Sequence, residues 1–445
     1  METQTQTQDV VIIGGGVSGT ALLYMLSRFT NLSSITLLEK YAAVAQVNSN
    51  GRHNSQTLHC GDIETNYTLE KAMQVHATAH RVVQYAESLD DASKIVFRSS
   101  KMILAVGQSE CEQLRERYNV FKPHFSYMEL WEGHEIAGVE PAVMQGRQES
   151  VVAMGALDQV TSVDFGALSE SFVQQAKQVS NKNIRLEFNT QVTDIFHNGE
   201  NFRVVSKDKE IHARYVVVCA GGHSLWFAQR MGYGMEYSCL PMAGSFYFTP
   251  PILNGKVYTM QNDKLPFAAL HGDPDVLIQG KTRFGPTALV LPLLERYNLK
   301  TLPEFLQVLK LDTKVLQVFW DLIKVKDIRN YILRNFLFEV PIIRRRLFLK
   351  DARKIVPALK LDDLTFADHF GGIRPVMIDK NNRKLHLGEA KIALGNGIVF
   401  NMTPSPGATS CLGNADKDMR LIAEQLKCDI DEQGLSEIFG KTPSY

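Results

Sequence analysis

Three glycines near the start of the chain have the spacing that binds the phosphates of a nucleotide. Gly14, Gly16 and Gly19 follow a β-branched apolar run and precede a helix-forming run, so they lie at a strand-to-helix turn. Glycine permits the tight turn and a close approach of the main chain to a pyrophosphate, and the helix N-terminus supplies N–H groups. A second apolar run ends at Glu39, whose carboxylate can accept hydrogen bonds from a ribose. The pattern predicts nucleotide binding, but by itself it fits FAD, NAD or S-adenosylmethionine.

Two later segments favour a long nucleotide. Residues 215–218 form another apolar run that ends in Gly221 and Gly222, and we expect this strand beside the first one. Residues 406–410 precede a helix predicted from about residue 411, whose N-terminus could stabilise negative charge on a reduced flavin. An NAD enzyme rarely needs its C-terminal chain at the cofactor, whereas an extended FAD does. We therefore expect FAD, with ordinary glycine turns and a capped helix as the simpler interpretation.

Composition limits the class of protein. The 445 residues exceed one ordinary core, so two domains are expected. No apolar run is long enough for a transmembrane helix, and residues 1–8 read as a polar arm without the apolar core of a signal peptide. The formal net charge is zero, which gives no case for nucleic acid. The six scattered cysteines are typical of buried thiols.

The order of predicted elements gives the fold class. We expect an α/β protein with a discontinuous Rossmann-like FAD-binding domain of the glutathione-reductase type and an inserted α+β substrate domain that contains an antiparallel sheet. The first domain would comprise residues 1–90, 150–225 and 365–445. The substrate domain would comprise residues 91–149 and 226–364. Within the first domain, residues 41–68 form a polar loop long enough to be functional. Within the second, residues 301–304 match a capping box.

Several short motifs, spread over nearly the whole chain, resemble one family. They are Ser49-Asn50-Gly51, His59 with Glu64-x-Asn66-Tyr67-Thr68, residues 267–273, Gly285-Pro286, residues 372–375 and residues 405–408. In this order they are similar to the malate:quinone oxidoreductases, within the FAD-dependent enzymes of the D-amino-acid-oxidase type, and the compact length resembles the shorter, epsilonproteobacterial branch. L-2-hydroxyglutarate-oxidising enzymes share much of the pattern but carry a glycine where this chain has Gln56.

The resemblance implies oxidation of (S)-malate to oxaloacetate, with non-covalent FAD as the hydride acceptor and a membrane quinone as the final acceptor. The alternatives are an FAD enzyme acting on L-2-hydroxyglutarate or another 2-hydroxy or amino acid, and a nucleotide-binding protein without a redox role. The expected cofactor contacts are Gly14, Gly16, Val17, Ser18, Gly19, Glu39, Lys40, Asn54, Ser55, Gln56, Thr57, His59, Val192, Ala220, Gly221, Gly222, Pro406, Gly407, Ala408, Thr409 and Ser410.

Oxidation of a secondary alcohol needs a base for the hydroxyl proton. We expect His271 in this role, because it matches the family motif and a neutral imidazole can accept a proton near pH 7. His59 is another candidate, and it could instead line the flavin or anchor the loop. His53 and His223 are weaker candidates, and an isolated histidine is often structural.

A dicarboxylate substrate needs fixed cations. Arg374 lies between two glycines and a proline, and we expect its guanidinium to hold one carboxylate. Arg283 and Arg52 are candidates for the second carboxylate. Asn66 and Tyr67 could bind substrate or flavin. The alternative for Arg374 is a salt bridge at a strand end.

The segment 300–354 carries 13 Lys/Arg against 6 Asp/Glu and has amphipathic apolar patterns. Basic amphipathic helices suit an anionic lipid surface, so we expect a cytoplasmic protein bound peripherally to the inner face of the membrane. The alternative is a helical subdomain with a solvated basic face. No aromatic interleaving supports nucleic-acid binding here, and the oligomeric state stays open.

Overall fold

The computed structural model describes residues 7–261, 269–386, 390–402 and 407–440. In chain order the strands are β1 (Gln8–Ile13), β2 (Ser34–Leu38), β3 (Val96–Val106), β4 (Glu129–Glu132), β5 (Val151–Val163), β6 (Asn183–Glu187), β7 (Val192–His197), β8 (Phe202–Ser206), β9 (Glu210–Val218), β10 (Tyr237–Ala243), β11 (Tyr247–Thr249), β12 (Lys256–Thr259), β13 (His271–Pro274), β14 (Thr282–Gly285), β15 (Leu289–Val290), β16 (Thr365–Phe366), β17 (Ile373–Asp379), β18 (Lys384–His386), β19 (Ala390–Ala393) and β20 (Ile398–Met402).

The helices are α1 (Val17–Phe29), α2 (Leu69–Glu87), α3 (Gln108–Phe121), α4 (His134–Val139), α5 (Pro141–Met144), α6 (Phe165–Lys177), α7 (His223–Arg230), α8 (Leu302–Leu309), α9 (Thr313–Lys324), α10 (Lys326–Leu337), α11 (Arg344–Ala352), α12 (Cys411–Leu426) and α13 (Glu432–Phe439).

The first sheet contains the predicted nucleotide fold. Its strand order is β19-β20-β9-β1-β2-β6, with β7 and β8 attached beside β9. β1 pairs in parallel with both β2 and β9, which places the 215–218 run beside the first strand as predicted. Residues along β1 and β2 are buried with few exceptions, because helices cover one face of the sheet and β7, β8, β10 and α7 cover the other. The α/β fold class is confirmed.

The helices that follow these strands close one face of the first sheet. Leu22 of α1, Phe172 of α6 and Leu412 of α12 belong to one buried apolar cluster together with Val10 and Val217 of the sheet. α6 begins after Asp164, because the Asp164 carboxylate accepts hydrogen bonds from the main-chain N–H groups of residues 166 and 167. This core holds β1 and α1 together, and the glycine turn connects them at the edge of the sheet.

The second sheet is largely antiparallel, as predicted. Its order is β16-β11-β14-β13-β12-β3-β5-β4, in which only the pairing of β12 with β3 is parallel. β5 is a long strand of this second sheet and pairs with β3. The chain therefore does not pass from the second sheet to the first at residue 150, where we expected a domain boundary. β10 and β17 form a smaller sheet of order β15-β10-β17-β18.

The basic segment 300–354 is helical, as predicted, but the predicted capping box at residues 301–304 is wrong. The hydroxyl of Thr301 does not cap α8: it accepts hydrogen bonds from the N–H groups of Leu294 and Glu295, and Glu304 pairs with His223 at 2.8 Å. Tertiary contacts therefore occupy both side chains of the expected capping box. Within the described residues, no helix has the length and apolar character required to cross a membrane.

The loop between β2 and α2 is fixed to the second sheet by buried charges. Lys101 of β3 forms an ion pair of 2.5 Å with Asp62 of the loop, and both side chains are at most 3% exposed. Tyr127 donates a 2.6 Å hydrogen bond to the same carboxylate. Burial favours the neutral acid, but the Lys101 ammonium outweighs it and holds the pKa of Asp62 below its usual range. The loop therefore cannot separate from the sheet without exposing a buried charge pair.

Removing one member of this pair should destabilise the fold. We expect Lys101→Met to lower the free energy of unfolding by about 3–5 kcal/mol, because Asp62 is left buried without its cation. The measurement is denaturant unfolding followed by circular dichroism. Lys94→Met is the matched control, since its pair with Asp91 is largely exposed and should contribute only about 0–1 kcal/mol. Equal losses in the two variants would contradict the structural role of the buried pair.

Candidate active site

The glycine turn has the geometry that a phosphate-binding turn requires. Gly14 has a φ of 110°, and a Cβ there would lie 2.5 Å from the carbonyl oxygen of Cys219. A Cβ on Gly19 would lie 2.0 Å from the Gly14 carbonyl oxygen. These two positions therefore admit glycine alone without a shift of main chain. Gly19 packs α1 against β1 and does not line the cavity described below.

Side chains from outside the turn hold its main chain. Glu39 accepts a 2.7 Å hydrogen bond from the Gly15 N–H and one of 2.9 Å from the Tyr41 N–H. Ser49 accepts a 2.9 Å bond from the Val17 N–H. Glu39 is buried, and burial raises the pKa of its carboxyl above the ordinary value. The turn is thus fixed by the carboxylate that was expected to contact a ribose.

A long cavity runs from this turn to the junction of the sheets. Seventeen of the expected cofactor residues line it, namely Gly14, Gly16, Val17, Ser18, Glu39, Lys40, Asn54, Ser55, Thr57, His59, Val192, Ala220, Gly221, Gly222, Gly407, Ala408 and Thr409. Arg374 lines it as well. The three distant segments predicted around FAD therefore meet at one cavity, whose glycine turn and elongated lining suit an extended dinucleotide.

Other expected cofactor residues lie elsewhere. Gln56 is fully buried behind the loop, where its amide donates to the Gly51 carbonyl and accepts from the Val276 N–H. Its φ of 53° is in the left-handed region that favours glycine. Ser410 precedes α12 and does not line the cavity. Pro406 and residues 267–268 lie outside the described residues.

Hydrogen bonds join the segments around the cavity. The His59 N–H donates to the Thr409 hydroxyl at 3.1 Å. The Ile373 N–H donates to the Asn48 side chain at 3.1 Å, and the Gly371 N–H donates to the Arg52 carbonyl at 2.8 Å. The loop is consequently attached to both the C-terminal helix region and the strand that carries Arg374.

His271 lies in a buried charged cluster of the second sheet. Its Nε2 is 3.6 Å from an Asp273 oxygen, and Lys256 is 2.9 Å from the other oxygen. The His271 ring stacks on Tyr258 at 4.4 Å, and the Tyr258 hydroxyl is 3.2 Å from the Thr57 hydroxyl. Burial, together with the positive charge of Lys256, holds the pKa of His271 well below its usual range. Its imidazole is therefore neutral, although it does not line the cavity.

His59, unlike His271, lines the cavity. Its Nδ1 lies 2.8 Å from a Glu64 carboxylate oxygen, and the Glu64 side chain is only 7% exposed. A carboxylate at Nδ1 fixes the ring and leaves Nε2 as the nitrogen that can exchange a proton with a ligand. Of the two other histidines considered, His53 lines the cavity near Gly372, while His223 lines it with Nε2 bound to Glu304.

Arg374 has the surroundings of an anion-binding residue. Its guanidinium has no ion pair or side-chain hydrogen bond to any other residue that the structure describes. Burial lowers its pKa, and Tyr258, Tyr331 and Tyr67 lie close enough to favour its charged form. A partly buried cation without a protein carboxylate is expensive unless a ligand supplies one. The salt bridge at a strand end that we considered is absent among the described residues.

The other two arginines lie away from the cavity. The Arg283 side chain is 1% exposed, its Nε lies 3.4 Å from an Asp275 oxygen, and its Nη1 donates to the Gly51 carbonyl. Its Nε and Nη2 are buried without a hydrogen-bond partner among the described residues. Arg52 is exposed and lies over the Phe370 ring. The structure thus brings neither to Arg374. Asn66 is also exposed, whereas Tyr67 is near Arg374.

Sequence reasoning missed Lys256, Tyr258 and Tyr331. Lys256 and Tyr258 are two residues apart on one face of β12, a short strand without a glycine motif. Tyr331 lies on α10, within a segment that was interpreted only as a basic helix. The alternation along residues 256–258 could have indicated a polar face, but nothing local in α10 pointed to a neighbour 43 residues later in the chain.

Comparison with known proteins decides the family. The family model described as malate:quinone oxidoreductase matches residues 6–288. The chain belongs to this family. It is 50% identical over 442 residues to a probable malate:quinone oxidoreductase of Campylobacter jejuni, covering 97% of this chain and 98% of that protein. It is 46% identical to the malate:quinone oxidoreductase of Helicobacter pylori 26695, covering 94% of each.

Solved structures support the fold of this malate:quinone oxidoreductase family member. An FAD-bound L-α-glycerophosphate oxidase of Mycoplasma pneumoniae matches with a TM-score of 0.62 and 20% identity, over 94% of this chain and 95% of that one. Glycine oxidase of Geobacillus kaustophilus matches with a TM-score of 0.65 and 15% identity, over 95% and 96%. The protein is an oxidoreductase with a flavin cofactor.

Proposed function

We propose that this protein oxidises (S)-malate to oxaloacetate and passes the electrons through FAD to a membrane quinone. The family supports the reaction, and one observation on this chain supports the substrate class. Arg374 presents a guanidinium without a protein carboxylate at the cavity that the nucleotide turn opens. A carboxylate of the substrate supplies the missing partner.

The chain's own residues supply binding and proton transfer. Arg374 holds the carboxylate next to C2, and the three tyrosines around it restrict where the rest of the substrate lies. We propose His271 as the base that takes the hydroxyl proton while a hydride leaves C2, so that the alcohol becomes a ketone. His59 is the alternative base, because it lines the cavity whereas His271 lies behind the lining. FAD, when bound, supplies the two-electron acceptor.

The sequence suggested Arg283 or Arg52 as the partner of malate's second carboxylate, and the structure suggests other side chains. Arg283 and Arg52 do not line the cavity. Tyr67, Tyr258 and Tyr331 also lie behind its lining, but they are close enough to Arg374, which does line it, to favour its charged form. We propose that these hydroxyls and the charge of Arg374 together hold the dicarboxylate, because a phenol donates a hydrogen bond to a carboxylate.

We propose that FAD is bound non-covalently by the residues that line the cavity. Glu39 lies at the expected ribose position, and Gly14 and Gly16 provide the close approach to the pyrophosphate. Acid precipitation should therefore release the flavin into the supernatant, and a yellow pellet would indicate a covalent bond.

The function is tested by anaerobic reduction of the bound flavin. We expect (S)-malate to bleach the flavin absorbance of the purified holoenzyme, whereas L-2-hydroxyglutarate, lactate and amino acids act far more slowly. Faster bleaching by L-2-hydroxyglutarate would assign the alternative substrate, and bleaching by none of them would reject the reaction. A protein that neither contains nor takes up FAD would reject the cofactor.

The same measurement identifies the base. We expect His271→Gln to slow flavin reduction by malate by about 10²–10⁴-fold at unchanged flavin content, since this is the usual contribution of a positioned base. His59→Gln is the companion variant, because His59 lines the cavity and is held by Glu64. A large loss in His59→Gln with normal rates in His271→Gln would transfer the role of base to His59.

Arg374 and Arg52 offer a matched pair for the carboxylate clamp. We expect Arg374→Ala to weaken malate binding by about 10–150-fold with flavin retained, because charge-assisted hydrogen bonds contribute roughly 1.5–3 kcal/mol. Arg52→Ala removes an exposed guanidinium from the polar loop 41–68 and should leave malate binding unchanged. The dissociation constant of malate in each variant is measured by following the rate of flavin reduction as the malate concentration is raised. Normal binding in Arg374→Ala would reject the clamp.

We propose that helices α8–α10 contact the inner face of the cytoplasmic membrane. Their exposed apolar side chains are 45–60% accessible and comprise Leu306, Leu316, Trp320, Ile323, Leu333 and Phe336. Three acidic residues of the segment pair with His223, Arg296 and Lys380, all outside it, so the basic surplus stays available to anionic lipid. Apolar residues beside basic ones suit the membrane interface.

Vesicle sedimentation tests this surface. We expect binding to phosphatidylglycerol vesicles that weakens with salt and is absent with phosphatidylcholine. Trp320→Ser should reduce binding about 10–150-fold, because about 1.5–3 kcal/mol of apolar burial is lost. Val120→Ser is the control, since Val120 is 54% exposed on α3. Absence of binding at low salt, or equal effects of the two substitutions, would reject the surface.

A further inference from the structure

A cluster of aromatic and cationic side chains lies at the rim of the cavity, apart from the residues assigned to malate. We call Arg52, His53, Tyr297, His369 and Phe370 the rim cluster. The rings of His53 and Tyr297 are 5.8 Å apart, and those of Tyr297 and His369 are 5.4 Å apart. The Tyr297 hydroxyl donates to the Phe370 carbonyl at 3.1 Å, and Arg52 lies 5.8 Å from the centre of the Phe370 ring.

The rim cluster connects the cavity with the protein surface. His53 lines the cavity, whereas Tyr297 is 48% exposed and Arg52 and His369 are exposed. The Gly371 N–H binds the Arg52 carbonyl, and a Cβ on Gly372 would lie 2.4 Å from the His53 carbonyl oxygen. The cluster is therefore attached directly to the strand that carries Arg374 two residues later.

Two features at or beside the rim cluster are costly without a ligand. His369 is exposed at a φ of 61°, a left-handed conformation that disfavours most side chains and is common at functional positions. Three large side chains, Tyr297, Leu299 and Leu302, are exposed near each other in the chain, with Leu299 at 79%. These two leucines follow Tyr297 in the chain and lie outside the rim cluster itself. Exposed apolar side chains grouped within six residues are typical of a surface that binds an apolar partner.

We propose that the rim cluster binds the headgroup of the quinone acceptor, so that malate and quinone occupy different parts of the protein. A quinone ring is flat and apolar and has two carbonyl oxygens. Tyr297 provides the aromatic contact, while His369 and Arg52 provide donors for the oxygens. Phe370 is buried against Phe248 and supports Arg52 and Tyr297 from below. The exposed leucines after Tyr297 accommodate an isoprenoid tail. This proposal rests on the proposed function, because it names the site of that reaction's second substrate.

The charges around the rim suit reduction of a quinone. Arg52, Arg296 and His369 face His53, and Glu339 and Asp368 face Tyr297. The Nδ1 of His53 lies 2.8 Å from the Val47 carbonyl oxygen and therefore donates to it, which leaves Nε2 able to carry a proton. The quinone ring gains two electrons and one proton from the reduced cofactor and a second proton through His53, which recovers it from solvent. The product is the quinol.

The proposal is tested by separating the two half-reactions of the holoenzyme. Flavin is reduced by malate in one mixing step and reoxidised by a short-chain naphthoquinone in the next. We expect Tyr297→Ala and His369→Asn to slow reoxidation about five- to tenfold, as the loss of an aromatic or donor contact predicts, and to leave reduction by malate unchanged. Asparagine is chosen at residue 369 because it tolerates the left-handed conformation.

A binding measurement supplies a readout that does not depend on turnover. Equilibrium dialysis of the naphthoquinone against oxidised holoenzyme should show the same five- to tenfold loss of affinity in both variants. Phe196→Ala is the control for Tyr297→Ala, since Phe196 is 46% exposed on β7, and His134→Asn is the control for His369→Asn. The controls should match the unsubstituted protein in both measurements.

The outcomes separate this proposal from the proposed function. If malate fails to reduce the flavin, the proposed function is rejected, and the rim is still tested with holoenzyme reduced by dithionite. If reduction is normal but both rim variants bind and react with naphthoquinone normally, the rim proposal is rejected. Loss of affinity for short-chain phosphatidylglycerol with unchanged affinity for naphthoquinone would also reject it, because the rim would then be a lipid-headgroup site.

Discussion

Buried charged side chains of one sheet, which bind one loop through an ion pair and hydrogen bonds, are the interaction on which the site depends. Lys101, Lys256, Asp273 and Arg283 lie on four adjacent strands, β3, β12, β13 and β14, in paired register. Their partners on the loop are the Asp62 carboxylate, the Thr57 hydroxyl and the Gly51 carbonyl. Charges removed from water must be paired within the protein, so the loop has one position on the sheet. The cavity exists because this loop is held there.

Segments with a strong local pattern were predicted correctly. The turn at residues 14–19 and the strand at 215–218 depend on patterns within a few residues, and each is present. The expected capping box at Thr301 failed because distant main-chain N–H groups bind its hydroxyl. Propensity is a weak guide wherever tertiary partners compete for the same side chain.

The substrate half of the site was harder to infer. Arg374 was recognisable from its Gly-Gly-x-Arg-Pro context, but Tyr258 and Tyr331 reach it from a different sheet and from a helix. Arg283 illustrates the converse, because a cation in a plausible motif lies buried against Asp275 and the loop and does not line the cavity. Residue type and spacing identify a possible ligand, whereas only the paired or unpaired state of the charge shows whether a side chain is available to one.

Helix α10 has two faces with different surroundings, and this links the proposed membrane contact to the substrate site. Tyr331 lies near Arg374, and Asn335 is buried and binds the Ala288 N–H. Leu333 and Phe336 of the same helix are more than half exposed. The buried face of this helix contributes to the site, and its exposed apolar residues point away from it. A shift of the helix caused by contacts on the exposed face therefore also moves the buried face. Lipid bound at the outer face would therefore limit the movement of Tyr331, whereas the rim cluster, on other segments, would stay open to a quinone.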